Sequence, residues 1–414
     1  MRSAIILAGR PAHAELIKNL KQRGYYTVLV DYLDDPPAKS LADIHIQKSA
    51  FDSEVVLGIA KKYNAELVIS TSMDFTNVVA CEVAEKLGLP TPYSAEDALY
   101  STRKDLMKDR MAAFSIPSSR YVVGDNWEEV KHHSLQFPII VKPVDRSGGF
   151  GVHKVNSPSE AQRLFNEALL ESRMHRALME EFIEGDQISV DCFTQNGHVE
   201  VLLIRYTRIN GQKGEYSGLT FGAVMPAQVS EKAKNSIHQI AKKIVVAYQL
   251  KTTFFLIQAT VDNNNNVNVI ELTLRIGGGA SNAILRLVCG FDPIDAMVNS
   301  FLSFPIDYES IKQEEYWLTR ILFAKEGKFE AVEGHRELIE QGVIEEFSLI
   351  KKLGSTIDKV ANTRHRVAYL IIKGNTLQEV VEKEQYALSK IEAYDENNEP
   401  MLINEAFDDK RRLL

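Results

Sequence analysis

Residues 254–279 read FFLIQATVDNNNNVNVIELTLRIGGG. Two apolar, β-rich runs flank a stretch of asparagines, a residue type that tolerates the backbone of a tight reversal. The stretch therefore reads as a β-hairpin with Asn263–Asn266 at its tip. Side chains alternate across a strand, so Gln258 on the first strand and Glu271 on the second can share one face, with Thr273 and Arg275 following at period two. A carboxylate and an amide oxygen are the hard donors Mg²⁺ takes beside phosphate oxygens and water. The planar fork of Arg275 suits a carboxylate or a phosphate. Gly277, Gly278 and Gly279 would weaken a strand unless the backbone is wanted close to a ligand. The competing reading is a surface Glu–Arg pair, worth only about 0–1 kcal/mol if exposed.

Upstream, FPIIVKPVDRSGGFGVHKV (137–155) carries a buried-type strand ending in Lys142, then a polar glycine turn, Ser147-Gly148-Gly149-Phe150-Gly151. Successive amides of such a turn form an anion-binding concavity, and the lysine adds a point charge. The lysine precedes the glycines and a strand follows them, so this is no Walker A loop. An ordinary glycine hairpin beside a surface lysine fits the same letters. LMEEFIEGDQISVD (178–191) places Glu180 and Phe182 on one strand face and Glu181 and Ile183 on the other, before a turn at Gly185. Such a strand can offer main-chain groups to a base edge and apolar cover to its face. It can equally be a half-exposed strand with solvated carboxylates. LLIRYTRINGQKGEY (202–216) brings Arg205, Arg208 and Lys213, candidates for a substrate carboxylate, each also readable as a solvated loop charge.

The first ninety residues alternate the two periods. Strand runs at 4–8, 26–30 and 67–70 are separated by helix patterns at 12–23 and 54–63, and a further helix pattern covers 76–87. That alternation predicts a parallel, doubly wound α/β unit. Its Gly9 turn lacks G-x-G-x-x-G, so no dinucleotide site is assigned; Asp31 reads as a ribose contact or a loop carboxylate. Leu89-Pro-Thr-Pro-Tyr93 is a linker. Beyond it the pattern is mixed α+β, with helices at 103–114 and 159–170 and strands at 120–123, 137–142, 178–183 and 187–193. Near the end, a strand at 367–372 leads through Gly374 into a helix opened by the capping box Thr376/Glu379 and running to about Ala393.

The 414 residues suffice for two or three cores, and 45% hydrophobic with 25% charged content is that of a globular protein. The net charge of −8 argues against general nucleic-acid binding. No secretory signal and no run of about 20 apolar residues is visible, so neither membrane partner nor export is expected, and a cytoplasmic location is. Cys81, Cys192 and Cys289 lack metal or redox spacing.

Taken in order, these blocks resemble the ATP-grasp superfamily, particularly its carbamoyl-phosphate-synthetase-like and amino-acid-ligase branches, over most of the chain. The resemblance implies a Rossmann-like domain at 1–92, an ATP-grasp domain at 93–305 with a mobile lid at about 114–185, and a small C-terminal α+β unit at 306–414. STRKDLMKDRMAAFSIPSSRY (101–121) resembles the segment whose lysine contacts phosphates, a role that falls to Lys104. Lys142, Ser147, Gly148, Gly149 and Gly151 become further phosphate contacts, and Glu180, Phe182 and Ile183 the adenine strand. VIELTLRIGGG resembles the E-x-N-x-R signature, which makes Glu271 a metal ligand and Arg275 the catalytic group on the transferred phosphate and acyl intermediate. Gln258 falls at the other metal position, as in carbamoyl phosphate synthetases. RVAYLIIKGNTLQEVVEKE (366–384) is similar to the C-terminal unit of amino-acid ligases and biotin carboxylases.

Two residues depart from the pattern. Thr273 stands where the Asn metal ligand belongs, and Gln187 where many members have a ribose-binding Glu. With Gln258 neutral, one protein carboxylate is left for the metal. The implied activity is an ATP- and Mg²⁺-dependent ligase that turns a small-molecule carboxylate into an acyl phosphate for attack by an amine. The alternatives are a bicarbonate-activating, carboxylase or carbamoyl-phosphate-type enzyme, and an ATP-binding module without turnover. A homodimer is a family expectation only.

Overall fold

The computed structural model describes residues 2–211, 216, 218–308, 314–358 and 363–403. The first unit is built from β1 (Ser3–Leu7), α1 (Pro11–Gln22), β2 (Tyr26–Asp31), β3 (Ile44–Gln47), α2 (Ser53–Lys62), β4 (Ala65–Ile69) and α3 (Asp74–Leu87). Its sheet is parallel, in the order β3-β2-β1-β4. Every residue of β1 is buried, as a strand covered by helices on both faces must be. The short β3 has no fully buried residue and escapes a reading based on apolar runs. Asp52 caps α2, its carboxylate accepting from the amides of Glu54 and Val55.

Beyond the proline linker, α4 (Ala95–Thr102) precedes α5 (Lys104–Ala113). The first of these is missing from the sequence reading, although Ser94 caps it. The segment expected to be the lid follows: β5 (Tyr121–Gly124), α6 (Trp127–Val130), β6 (Ile139–Pro143), β7 (His153–Val155), α7 (Pro158–Glu171) and β8 (Ala177–Glu181). Its antiparallel sheet has the order β5-β8-β6-β7, and α7 buries Leu164, Phe165 and Leu169 in a core of the lid's own with Val141 and Met179.

The remaining strands are β9 (Asp186–Gln195), β10 (His198–Ile209), β11 (Thr220–Met225), β12 (Thr253–Val261) and β13 (Val267–Thr273), with α8 (Glu231–Ala247) before β12. After β13 come α9 (Ser281–Cys289), α10 (Pro293–Phe301), β14 (Tyr316–Phe323), β15 (Gly327–Phe329), β16 (Ala331–Glu333), α11 (His335–Glu340), β17 (Glu346–Leu349), β18 (Ser355–Ile357), β19 (Arg366–Gly374), α12 (Leu377–Leu388) and β20 (Glu392–Tyr394). One eight-stranded sheet, β13-β12-β9-β10-β11-β14-β19-β17, runs through both halves of this region, so β14, β19 and β17 extend the sheet begun before residue 306, while β15 pairs with β18 and β16 with β20. The capping box holds: Thr376 Oγ1 accepts from the Glu379 amide at 3.1 Å, and Glu379 from the Asn375 amide at 2.8 Å. The helix ends at Leu388 rather than near 393, because Glu392–Tyr394 pairs with β16 instead.

Where lid and large sheet meet, Gly185 sits at φ +156°, and a Cβ there would lie 2.2 Å from the Val261 carbonyl oxygen. Only glycine allows β8 to turn into β9 against the end of β12. No helix among the described residues is long and apolar enough to cross a membrane.

Candidate functional site

The hairpin of β12 and β13 pairs Gln258 directly with Glu271, and Leu256 with Thr273. Directly opposed residues share a face, so the Gln258 amide and the Glu271 carboxylate stand side by side. Glu271 is 38% exposed, and Lys104 Nζ lies 3.8 Å from its Oε2. Among the described residues no three acidic, His or Cys side chains gather as a metal cluster. The donor set fits one Mg²⁺ held by Glu271 and Gln258 with most of its shell supplied by phosphate and water.

Lys104 opens α5. Its amide donates to the Val144 carbonyl at 2.9 Å and its Nζ to the Arg146 carbonyl at 2.5 Å, tying α5 to the root of the glycine loop. One turn on, Lys108 donates to Ser118 Oγ at 2.6 Å and pairs with Glu180 Oε2 at 2.6 Å. Lys142, from β6, meets the other oxygen, Oε1, at 2.5 Å. Ser119 Oγ donates to Oε2 at 2.6 Å. Burial presses the Glu180 carboxyl upward, but Lys142 and Lys108 outweigh it and hold the group far below the usual carboxylate range. Burial lowers both Lys104 and Lys108, opposed chiefly by Glu271 and Glu180 respectively; Lys142 lowers each further. Lys104, Lys108 and Lys142 against Glu180 and Glu271 are three cations and two anions, one positive charge in excess.

The glycine loop leaves β6 with Gly148, Gly149 and Gly151 at φ +72°, +76° and +69°. Ser147, Gly148 and Gly149 are exposed, and Lys104 is bonded to the carbonyl at the loop's root. At the hinge end, Glu180 is consumed by lysines. The Phe182 amide donates to the Pro138 carbonyl at 3.0 Å, and Lys154 Nζ lies 3.7 Å from the Phe182 ring centroid. Among the described residues nothing in the protein bonds the backbone N–H or C=O of Ile183, which leaves its main chain open to a base edge. Gln187 pairs with Thr260 across β9 and β12, half-buried beside that position.

Arg275 meets a partner the sequence does not advertise. Its Nε and Nη2 donate to Asp74 Oδ1 and Oδ2 at 2.8 and 2.9 Å, and Nη1 to the Ile276 carbonyl at 3.0 Å. Thr273 Oγ1 donates to the same Asp74 Oδ1 at 3.1 Å. Burial alone would raise Asp74, but Arg275 and Thr273 hold its carboxyl below the ordinary range. Asp74 therefore stays ionised as a fixed acceptor and is no proton carrier.

Arg205 and Arg208 are not loop charges: both lie on β10 and are buried. Arg205 pairs with Asp191 at 2.7 Å, and Arg208 with Glu384 of α12 at 2.7 Å. Lys213 lies outside the described residues. The three cysteines are buried thiols. Lys108, Ser119 and Asp74 are absent from the sequence-derived set. Lys108 was legible in principle, four residues from Lys104 on one helix face; Asp74 was not.

A family model for the ATP-grasp domain matches residues 135–283. That span holds Lys142, the glycine loop, Glu180, Gln258, Glu271 and Arg275, the side chains that converge here. The chain carries an ATP-grasp domain.

A second model, L-amino acid ligase C-terminal domain 2, matches residues 320–396, the part that supplies the second half of β14 and all of β19 and α12. The ATP-grasp chain is 25% identical over 253 residues to a formate-dependent phosphoribosylglycinamide formyltransferase of Ignicoccus hospitalis. That match takes in 59% of this chain and 62% of the relative, under two thirds of its length. Among solved structures, the L-amino acid ligase of Bacillus licheniformis superposes with a TM-score of 0.78 at 16% identity, covering 96% of this chain and 99% of that one. The biotin carboxylase domain of the Hydrogenobacter thermophilus 2-oxoglutarate carboxylase, solved with MgADP, ADP and bicarbonate, gives 0.77 at 16%, covering 96% and 91%. At these identities the structures establish the shared fold.

Proposed function

We propose that the protein is an ATP-dependent carboxylate–amine ligase. The observation that carries this reading is that Lys104 stands against Glu271 of the Gln258–Glu271 pair while Lys108 and Lys142 converge on Glu180, three lysines against two carboxylates. The names of proteins it resembles support it: a formate-dependent phosphoribosylglycinamide formyltransferase in sequence and an L-amino acid ligase in fold.

Phosphoryl transfer asks a protein mainly for positioning and charge neutralisation. Lys104, Lys142 and the exposed glycine-loop amides hold the triphosphate, and the open main chain of Ile183 takes the base edge. Glu271 and Gln258 would hold Mg²⁺, which would supply charge neutralisation at the phosphates. The substrate carboxylate attacks the γ-phosphate, and Arg275 stabilises the charge that gathers on the transferred group and the acyl phosphate. The amine then displaces phosphate. A lid with its own core can close as a body and keep water from the acyl phosphate.

Thr273 favours a second reading. Its hydroxyl is committed to Asp74, so a module that binds ATP without turnover fits that one residue. The test is ADP release with an equimolar mixture of the twenty amino acids, formate and bicarbonate, run beside Glu271→Ala and Arg275→Ala. A ligase shows acid-dependent release that falls by about 10²–10³-fold in each variant. Release that is equal in all three proteins overturns the assignment.

A further inference from the structure

Asp74 and Phe75, neighbours in the first turn of α3, face two different parts of the site. Asp74 takes Arg275 by two oxygens at 2.8 and 2.9 Å. The guanidinium carbon of Arg173 is 5.5 and 5.6 Å from the ring centroids of Phe75 and Phe51. Arg173 is itself fixed to the root of the glycine loop. Asp145, 2% exposed, accepts from Ser172 Oγ at 2.9 Å and from the Met174 amide at 3.1 Å, the residues on either side of Arg173. An unbroken run of contacts therefore leads from the glycine loop through Asp145, Arg173 and Phe75 to Asp74 and Arg275.

The same helix holds the signature strand at a second point. Asn77 Nδ2 donates to Tyr93 Oη at 2.9 Å, and Tyr93 Oη donates to the Leu274 carbonyl at 2.5 Å. Residues 273, 274 and 275 are thus each tied to α3, directly or through Tyr93. A guanidinium has five N–H groups. Asp74 and Ile276 occupy three of those on Arg275, and the two left, one on each terminal nitrogen, suffice for a two-point contact with a phosphate or carboxylate.

We infer that the first turn of α3 positions Arg275 and registers lid closure: Asp74 is a positioning residue from the N-terminal unit, and Arg173, set against the rings of Phe51 and Phe75, couples the lid to it. The inference rests on the ligase reading for its consequence in turnover, and on geometry alone for the coupling. Arg173 lies on the surface, where a cation over aromatic rings is worth roughly a two- to fivefold bias. Losing the Asp74 fork is a larger event, since misplacing a catalytic group by about 1 Å costs about 100-fold.

The test uses the full chain labelled with ¹⁵N-arginine, the Arg275 Nε–H signal being assigned by its loss in Arg275→Lys. In wild type that proton exchanges slowly with water. Asp74→Asn removes the slow exchange, Asp74→Glu restores part of it, and Arg173→Ala speeds it roughly two- to fivefold without touching Arg275. In ADP release, Asp74→Asn lowers kcat about 10- to 100-fold with the KM for ATP nearly unchanged, and Asp74→Glu recovers part of it. An Arg275 signal unmoved by Arg173→Ala overturns the coupling. A signal unmoved by Asp74→Asn, in protein whose thermal unfolding shows it folded, overturns the positioning role. Should wild type release no ADP while the signals shift as described, the coupling stands and the ligase reading falls.

Discussion

Lys142 Nζ lies 2.5 Å from Glu180 Oε1, and both side chains are buried. With Lys108 on the other oxygen, the lid strand β6 and helix α5 share one carboxylate on β8. Removing one member of a buried charged set strands the rest, at about 3–5 kcal/mol. Glu180→Gln is therefore expected to lose that much in urea unfolding, and Lys142→Met less, because Lys108 still neutralises Glu180. Equal losses in both would contradict the shared-carboxylate account.

The same group sets a pH dependence. Glu180's folded pKa lies below its unfolded value, so its contribution is fully present above the ordinary glutamate range and disappears as the pH falls through the folded pKa. Between roughly pH 5 and 2, wild type is expected to lose stability more steeply than Glu180→Gln. Parallel curves over that window would remove the assignment.

Lys104 titrates with the opposite consequence. Burial lowers its pKa, so as pH rises its charge begins to be lost earlier than that of an ordinary lysine. Affinity for a non-hydrolysable ATP analogue, followed by titration calorimetry from pH 7 to 10, is expected to weaken toward the alkaline end. In Lys104→Arg, which stays charged throughout, the profile is expected to be shallower than in wild type. A profile of the same shape in both proteins would show that Lys104 does not face the phosphates.

These residues differ in how far the letters alone betray them. The hairpin was legible in its Asn-rich tip, but the tip alone would set Gln258 opposite Ile270; a register shift between Ala259 and Gln258 is what brings Gln258 opposite Glu271. Lys142 was legible because a strand ends in it and glycines follow. Asp74 was not: it opens a helix 201 residues from Arg275, and no local periodicity reports so distant an ion pair. The extension of one sheet through β11 and β14 was hidden for the same reason, since a strand's own pattern does not say which neighbour it joins. Arg205 and Arg208 looked like loop charges because a mixed-polarity strand resembles a loop until its buried acidic partners, Asp191 and Glu384, are known.

The neutral Gln258 invites a gain-of-charge experiment. Gln258→Glu sets two carboxylates directly opposite each other, which is destabilising by about 0.2–1 kcal/mol without metal. With Mg²⁺ and the ATP analogue present, the second carboxylate becomes a ligand, and the variant's thermal midpoint is expected to rise more than wild type's. A smaller rise than in wild type would place the metal elsewhere.

In the proposed reaction a carboxylate oxygen attacks ATP at the site formed by Lys104, Lys142, Glu271 and Arg275. Supplying the mixture of acids labelled with ¹⁸O in their carboxylates, and measuring the label in the phosphate released, tests it most directly. The account requires one ¹⁸O in each phosphate formed by acid-dependent turnover, with both turnover and label lost in Arg275→Ala. Acid-dependent ADP release that yields unlabelled phosphate would mean that water, not a carboxylate, attacks the nucleotide, and would contradict it.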